Sequence, residues 1–321
     1  MWRGGWGKDD MPDLSGRTAV VTGANSGLGY EATRAFARKG ATVVMACRSA
    51  ERGMRARRAL ETEAPDGKLD VRRCDLASLD SVRAFARAVR EDYDDLHVLC
   101  NNAGVMAVPR SETDDGFETQ FGVNHLGHFA LTGLLLGPLV RTDGETRVVT
   151  QSSGEHERGS IDFDDLQGED GYGKWSAYAQ SKLANLLFAY ELDRRLDAAG
   201  IEDVISVGCH PGYADTNLQR RSAEAGGSRL KLWGLAVANA VYAQSARRGA
   251  LPLLYAATAP AVSGGDYIGP GGVLNMRGAP AKQRSSDRSR DRETAERLWA
   301  VSEELTGVTY GAGLSGGSPR E

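Results

Sequence analysis

One alternation governs what this chain can fold into: short apolar runs rich in β-branched residues take turns with stretches whose apolar residues recur at helical spacing. The runs are TAVVTG (18–23), ATVVMAC (41–47), LDVRRC (69–74), LHVLCN (96–101), RVVTQSS (147–153) and VISVGC (204–209). Between them lie 27–39, 50–63, 79–91, 123–141 and 178–198, which read as helices. Parallel neighbours need a crossover of a dozen or more residues, and each crossover helix must bury its apolar stripe on the sheet. The expectation is therefore an α/β fold, a single doubly wound domain over 15–310 with a mainly parallel sheet of roughly seven strands. No internal repeat or linker divides the 321 residues. Flanking the domain, 1–14 read as a flexible arm and the Gly/Ser-rich 311–321 as a flexible tail, while 278–290 (GAPAKQRSSDRSR) reads as a solvated loop.

Composition excludes several classes of function. A net charge of −4 and a pI near 5.8 provide no basic field for a nucleic-acid backbone. The longest apolar stretches, 131–140 and 232–243, fall short of the roughly 18 residues that span a bilayer. The opening MWRGGWGKDDMPD holds no apolar signal core. A cytoplasmic protein with no transmembrane segment and a small-molecule substrate is expected. Cys47, Cys74, Cys100 and Cys209 lack paired spacing and each closes a strand candidate, so they read as packed thiols. His125, His128, His156 and His210 show no metal-ligand spacing in company with acids, and no metal is expected.

In a doubly wound sheet ligands gather at the carboxyl ends of the strands, so chemistry is sought just after each run. The first run leads into Thr22-Gly23-Ala24-Asn25-Ser26-Gly27-Leu28-Gly29 and then directly into a helix. Glycines there let the backbone turn and approach a pyrophosphate, which sits on the exposed amides of the helix start. This is the dinucleotide-binding, or Rossmann, arrangement, with Gly23, Asn25, Ser26, Gly27, Leu28 and Gly29 as cofactor-binding candidates. After the second run, where an NAD-selective fold places an acid, stands Arg48. A guanidinium pairs with a 2′-phosphate in forked geometry, so NADP(H) is expected in preference to NAD. After the third run Asp75 and Leu76 stand where an adenine amino group would lie. After the fourth, Asn101, Asn102, Ala103 and Gly104 form a tight turn whose amides can brace neighbouring strands.

At the chemical end, Tyr178 and Lys182 are four residues apart on one helix face. A neighbouring ammonium favours phenolate and lowers the phenol pKa toward neutrality. Ser152 and Ser153 end the fifth run at the same edge and could hold a substrate oxygen. Asn124 could interrupt its helix to bind a water linking Lys182 to solvent.

Together the TGxxxGxG loop, the NNAG turn and the YxxxK pair resemble the short-chain dehydrogenase/reductase family over roughly residues 15 to 275. The resemblance implies that Tyr178 is the proton donor or acceptor, that Lys182 lowers its pKa and binds the nicotinamide ribose, that Ser153 orients the reacting oxygen, and that Asn124 supports a proton relay. Pro211, Gly212 and Thr216 are similar to the family segment that cups the nicotinamide. The Gly154-Glu155-His156 stretch, IDFDDL (161–166), AYAQSKLANLLFAYEL (177–192) and the late helix around Leu298 and Trp299 are similar to the retinol dehydrogenase and protochlorophyllide reductase group. In that group the segment between Ser153 and Tyr178 is longer than in most of the family and forms a flap. Leu230, Leu232, Trp233, Leu235, Val237 and Val241 fall where the family closes over substrate. They either line an apolar pocket or pack a helix, and an oligomer interface, for a homodimer or homotetramer, stays open. The resemblance implies hydride transfer between a nicotinamide and a carbonyl or alcohol carbon. Reduction of an activated C=C bond and a non-catalytic NADP-binding regulator are the alternatives.

Overall fold

The computed structural model describes residues 5–63, 67–212, 214–215, 244–272 and 275–314. Its elements follow in chain order as β1 (Thr18–Thr22), α1 (Gly27–Arg38), β2 (Thr42–Cys47), α2 (Ala50–Glu63), β3 (Lys68–Arg73), α3 (Leu79–Asp92), β4 (Val98–Asn101), α4 (Gly127–Arg141), β5 (Thr146–Gln151), α5 (Lys174–Ala198), β6 (Val204–Cys209), α6 (Leu251–Thr258), β7 (Tyr267–Pro270), β8 (Pro280–Gln283) and α7 (Arg292–Thr306). Eight strands form the main sheet, in the order β8-β7-β6-β5-β4-β1-β2-β3, and Ala214–Asp215 pairs separately with Gln244–Ser245. Every pair is parallel except β7 with β8. Strand order reverses at β1, which pairs with β2 on one side and β4 on the other, and the crevice of the sheet opens there.

Successive residues of the strands feed two separate cores, as a pleated strand requires. Val21, Val43, Met45, Cys100, Val149 and Val207 face one side with Phe36, Leu253 and Leu254. Their chain neighbours Val20, Val44, Leu99 and Val148 face the other with Phe85, Leu135 and Phe188. Each such side chain, fully withdrawn from water, is worth roughly 1.5–3 kcal/mol. On the second face a further layer covers α4 and α5. Trp299 of α7 sits 5.1 Å from Phe129, 5.8 Å from Phe188 and 4.4 Å from Tyr310, ring centre to ring centre. Arg195 lies over the Trp299 ring at 4.4 Å, and the Tyr310 hydroxyl donates to the Phe129 carbonyl at 2.7 Å. Gly307, in the left-handed region at φ 61°, ends α7.

Several elements differ from the sequence expectation. Strand β8 falls inside the stretch expected to be a solvated loop, and the sheet accordingly has eight strands. Pairing with β7 supplies hydrogen bonds that no local pattern announces. Helix α5 begins at Lys174, one turn before Tyr178. The helix read as 123–141 carries a π-turn over Gly122–Leu126 before α4 proper. Within the expected arm, Met11 and Leu14 are buried and Trp6 packs edge-on against Tyr255. The continuous helical stretch Thr119–Arg141 is long and apolar enough to cross a membrane, and 72% of its apolar window is buried within the protein.

Candidate active site

The chain leaves β1 through Gly23 at φ 68° and enters α1 at Gly27 at φ 57°, conformations that favour glycine. A methyl group on Gly23 would lie 3.2 Å from the Ala103 backbone, whereas one on Gly27 would meet nothing within 4 Å. Packing thus fixes one end of the loop and leaves the other open beside the first amides of α1. The Thr22 hydroxyl accepts the backbone N–H groups of Asn102 and Ala103, both at 2.9 Å, and the Asn102 amide returns a bond to the Thr22 carbonyl at 2.8 Å. The ends of β1 and β4 are therefore stitched together, and Gly29 packs on the same Asn102 amide. Asn25 and Leu28 are half-buried and Ser26 is exposed around the open side. This cradle fits a dinucleotide pyrophosphate. Arg48 is exposed at the end of β2, and half-buried Asp75 accepts from the Ala77 N–H at 3.1 Å. The Leu76 carbonyl packs beneath Gly127, where a side chain would collide with it.

Helix α5 presents Tyr178 and Lys182, both nearly fully buried. Lys182 Nζ donates to the Gln151 carbonyl at 3.2 Å and lies 5.8 Å from the centre of the Tyr178 ring. The two serines after β5 diverge. Ser152 turns its hydroxyl to the Lys182 backbone carbonyl at 2.7 Å, whereas the Ser153 hydroxyl accepts from the Glu155 N–H at 3.3 Å and lies close enough to the Tyr178 phenol to pull its pKa down. Asn124, in the π-turn, accepts from the Val105 N–H at 2.8 Å and donates to the Val105 carbonyl and to Ser181, both at 2.9 Å. A methyl group on Gly104 would stand 2.9 Å from Asn124 Oδ1 and 3.5 Å from Lys182 Nζ, so these three residues converge. His128 ties the two ends of the site together. A carbonyl only accepts, so Nδ1–H donates to the Asn124 carbonyl at 3.0 Å, and bare Nε2 takes the Thr22 hydroxyl at 2.9 Å. Burial pulls its pKa down to about 4, which keeps the ring neutral.

Burial also rules the charges of the pair. Desolvation pushes the Tyr178 phenol up to about 12, against the opposing pull of the Ser153 hydroxyl. Desolvation likewise pulls Lys182 down to about 8. The sequence argument expected the ammonium to lower the phenol, but in the free chain withdrawal from water governs the phenol, and the pull that opposes it comes from Ser153. The arrangement is a phenol that holds its proton at neutral pH, a serine hydroxyl beside it, and a buried lysine on the next turn.

A profile of the family described as short chain dehydrogenase matches residues 17–226. The chain belongs to that family. Among short-chain dehydrogenases it groups with the retinol dehydrogenases. It is 41% identical over 300 residues to retinol dehydrogenase 12 of Homo sapiens, across 92% of this chain and 88% of that one. It is 41% identical over 313 residues to polyprenol dehydrogenase of Mus musculus, across 96% and 89% of the two chains. A solved structure of an uncharacterised protein from Mycobacterium paratuberculosis superimposes with a TM-score of 0.78 at 43% identity, covering 95% of this chain and 99% of that one. A chain from Escherichia coli CFT073 complexed with NADPH superimposes with a TM-score of 0.52 at 26% identity, covering 65% and 82%. Family and relatives together make the chain an NAD(P)-dependent oxidoreductase.

The short-chain dehydrogenase site holds residues that sequence reasoning missed. Glu118 caps the Gln120 and Phe121 amides, and the Tyr172 hydroxyl donates to Glu118 at 3.0 Å and accepts from Gln120 at 2.8 Å. With Gln167 accepting from the Glu118 N–H and Gln180 accepting from the Asp162 N–H, these contacts clamp the 159–173 flap to the loop before α4 and to α5. No local pattern marks such partners, because they lie far apart in the chain. Trp175, half exposed, stands edge-on to Tyr178 at 6.2 Å. His156 and His210, weighed above only as metal ligands, flank the site through hydrogen bonds. Among the described residues no three His, Cys, Asp or Glu side chains are grouped to hold a metal. Pro211 and Gly212 follow β6 half-buried, with Gly212 at φ 66°. Thr216 and the apolar positions from Leu230 to Val241 lie outside the described residues.

Proposed function

We propose that this enzyme transfers a hydride between the nicotinamide of NADP(H) and the carbonyl or alcohol carbon of a small apolar substrate, with Tyr178 as general acid/base. The observation that carries this reading is a buried Tyr178 phenol beside the Ser153 hydroxyl, with buried Lys182 on the adjacent turn 5.8 Å from the ring centre. The bound nicotinamide supplies or accepts the hydride. In the direction of reduction Ser153 donates a hydrogen bond to the carbonyl oxygen and Tyr178 gives up its proton to it, so hydride and proton together yield the alcohol. The phenolate left behind is stabilised by the Lys182 ammonium, an attraction strengthened where water is excluded. Asn124 steadies this arrangement by bonding Val105 on one side and Ser181 on the other. By the family resemblance Lys182 would also hold the nicotinamide ribose.

An apolar substrate is supported by Trp175, the most exposed large apolar side chain among the described residues, set against Tyr178. It is supported too by relatives whose names specify retinol and polyprenol, both apolar alcohols. Preference for NADP(H) rests on Arg48, exposed after β2.

The test is turnover of aldehydes, ketones and enones by the purified protein with NADPH or NADH. Tyr178→Phe is expected to lower kcat by about 10²–10⁴-fold and to leave NADPH affinity nearly unchanged. Turnover confined to enones would favour C=C reduction and overturn the carbonyl reading. Arg48→Ala is expected to weaken NADPH binding by about 10- to 100-fold, the worth of a charge-assisted bond, while NADH binding stays level. Equal losses for both cofactors would remove the 2′-phosphate contact.

A further inference from the structure

The two sides of the reacting centre, the Ser153 backbone and the Pro211–Gly212 turn, are each held by a histidine, and the two histidines reach to β8 and to Ser286 just beyond it. His156 Nδ1 lies 2.7 Å from the Ser153 carbonyl, and the Ser286 N–H donates to His156 Nε2 at 3.2 Å. Since a carbonyl only accepts and an amide N–H only donates, the ring is a neutral imidazole protonated at Nδ1. His210 is the mirror case. The Gly212 N–H donates to its Nδ1 at 3.2 Å, so Nε2–H donates to Gln283 Oε1 at 2.8 Å. Gln283 is on β8, and its own amide donates to the Pro270 carbonyl on β7 at 2.8 Å, which fixes its orientation. Tyr267 fills the space between the two imidazoles, stacked on His210 at 5.1 Å and edge-on to His156 at 5.4 Å. All three rings are buried. The Tyr267 hydroxyl also approaches His156 Nδ1, at 3.5 Å, as a longer second acceptor beside the Ser153 carbonyl. Every nitrogen of the two imidazoles therefore has a partner of the correct sense, and neither ring has a proton to give to chemistry. Their common output is the placement of Ser153 and Gly212 relative to β8.

We propose that His156 is a positioning residue for Ser153, one half of a His156–Tyr267–His210 bracket by which β8 and Ser286 set the separation of the substrate-oxygen side and the nicotinamide side of the site. The proposal rests on the role given to Ser153 above. A displaced hydroxyl would cost rate, since misplacement of a reacting group by about 1 Å is worth about 100-fold. Cofactor binding at Gly23 to Gly29 would be untouched.

The experiment is a double-mutant cycle on the full chain, reading kcat for the best aldehyde and, separately, the NADPH dissociation constant by fluorescence. His156→Phe keeps a ring and loses both bonds. It is expected to lower kcat by about 100-fold with NADPH affinity within about 3-fold of the parent. His156→Asn keeps a donor for the Ser153 carbonyl and is expected to recover at least about 10-fold of that loss. In the Ser153→Ala background, His156→Phe should add less than about 3-fold, because both act through one hydroxyl. A second variant reaches the bracket from outside. Ser286 has φ −61° and ψ 152°, a conformation proline shares, so Ser286→Pro deletes the N–H without straining that residue and should lower kcat by about 10-fold. The proposal is overturned if His156→Phe or Ser286→Pro retains parental kcat, if His156→Asn is as slow as His156→Phe, or if the His156→Phe loss multiplies fully with Ser153→Ala. A Ser153→Ala protein with parental kcat would overturn the reading of Ser153 itself, and the bracket's role in turnover with it.

Discussion

Lys182 sits where a charge is costly, its ammonium facing the Gln151 carbonyl with the Tyr178 ring nearby, and burial pulls its pKa down to about 8. A lowered lysine carries its charge below that value and loses it as pH rises through it. Tyr178 does not ionise until about 12 in the free chain, so the acid needed for carbonyl reduction is present throughout the neutral range. Because kcat/KM reports the groups of the free enzyme, it is expected to stay level from pH 6 to about 8 and then to fall, toward about tenfold per unit. Lys182→Met should be slow and lack this inflection. A parental profile level to pH 10 would separate lysine ionisation from turnover. The residue types at 178 and 182 were readable in the sequence. Their charge states were not, since they depend on how completely α5 and its neighbours exclude water.

Helix α7 closes a third layer over α4 and α5, and the energetic centre of that layer is Trp299. Trp299→Ala is expected to cost about 3–5 kcal/mol, since it removes the ring that joins Phe129, Phe188 and Tyr310. Trp299→Phe should cost less than half as much, because the indole nitrogen has no partner to lose and a smaller ring still fills most of the site. Urea unfolding at neutral pH decides this, and equal losses for the two variants would show that packing is not what Trp299 supplies. The late helix around Leu298 and Trp299, and a flap between Ser153 and Tyr178, were implied by the family resemblance. What the flap closes on was not. Tyr172 meets Glu118 and Gln120, and Gln180 meets Asp162, only after α5 and the loop before α4 have been brought together. Strand β8 shows the same limit, because four residues gain their conformation from β7 rather than from their own pattern.

All five histidines, His97, His125, His128, His156 and His210, are buried, and burial is the leading cause that lowers the pKa of each below the usual imidazole value. The unfolded chain therefore binds more protons than the folded one below about pH 6.5, and stability is full above that pH and lost as pH falls. Each neutral ring contributes a slope of up to about 1.4 kcal/mol per pH unit in that window. The urea midpoint is expected to fall steeply between pH 7 and pH 5, and a midpoint unchanged over that span would contradict the neutral, hydrogen-bonded rings. The order of strands and helices, the glycine loop after β1, Arg48 after β2 and the Tyr178–Lys182 spacing were all determined by the sequence itself, because periodicity, turn chemistry and helical geometry are local. Tertiary structure alone decided that Ser153 rather than Ser152 faces the phenol, that His128 joins Thr22 to Asn124, and that β8 through Gln283, and Ser286 after it, reach back to the edge of the site. Those outcomes depend on contacts between residues distant in the chain and on the removal of water from them, and neither is a property of any short stretch of sequence.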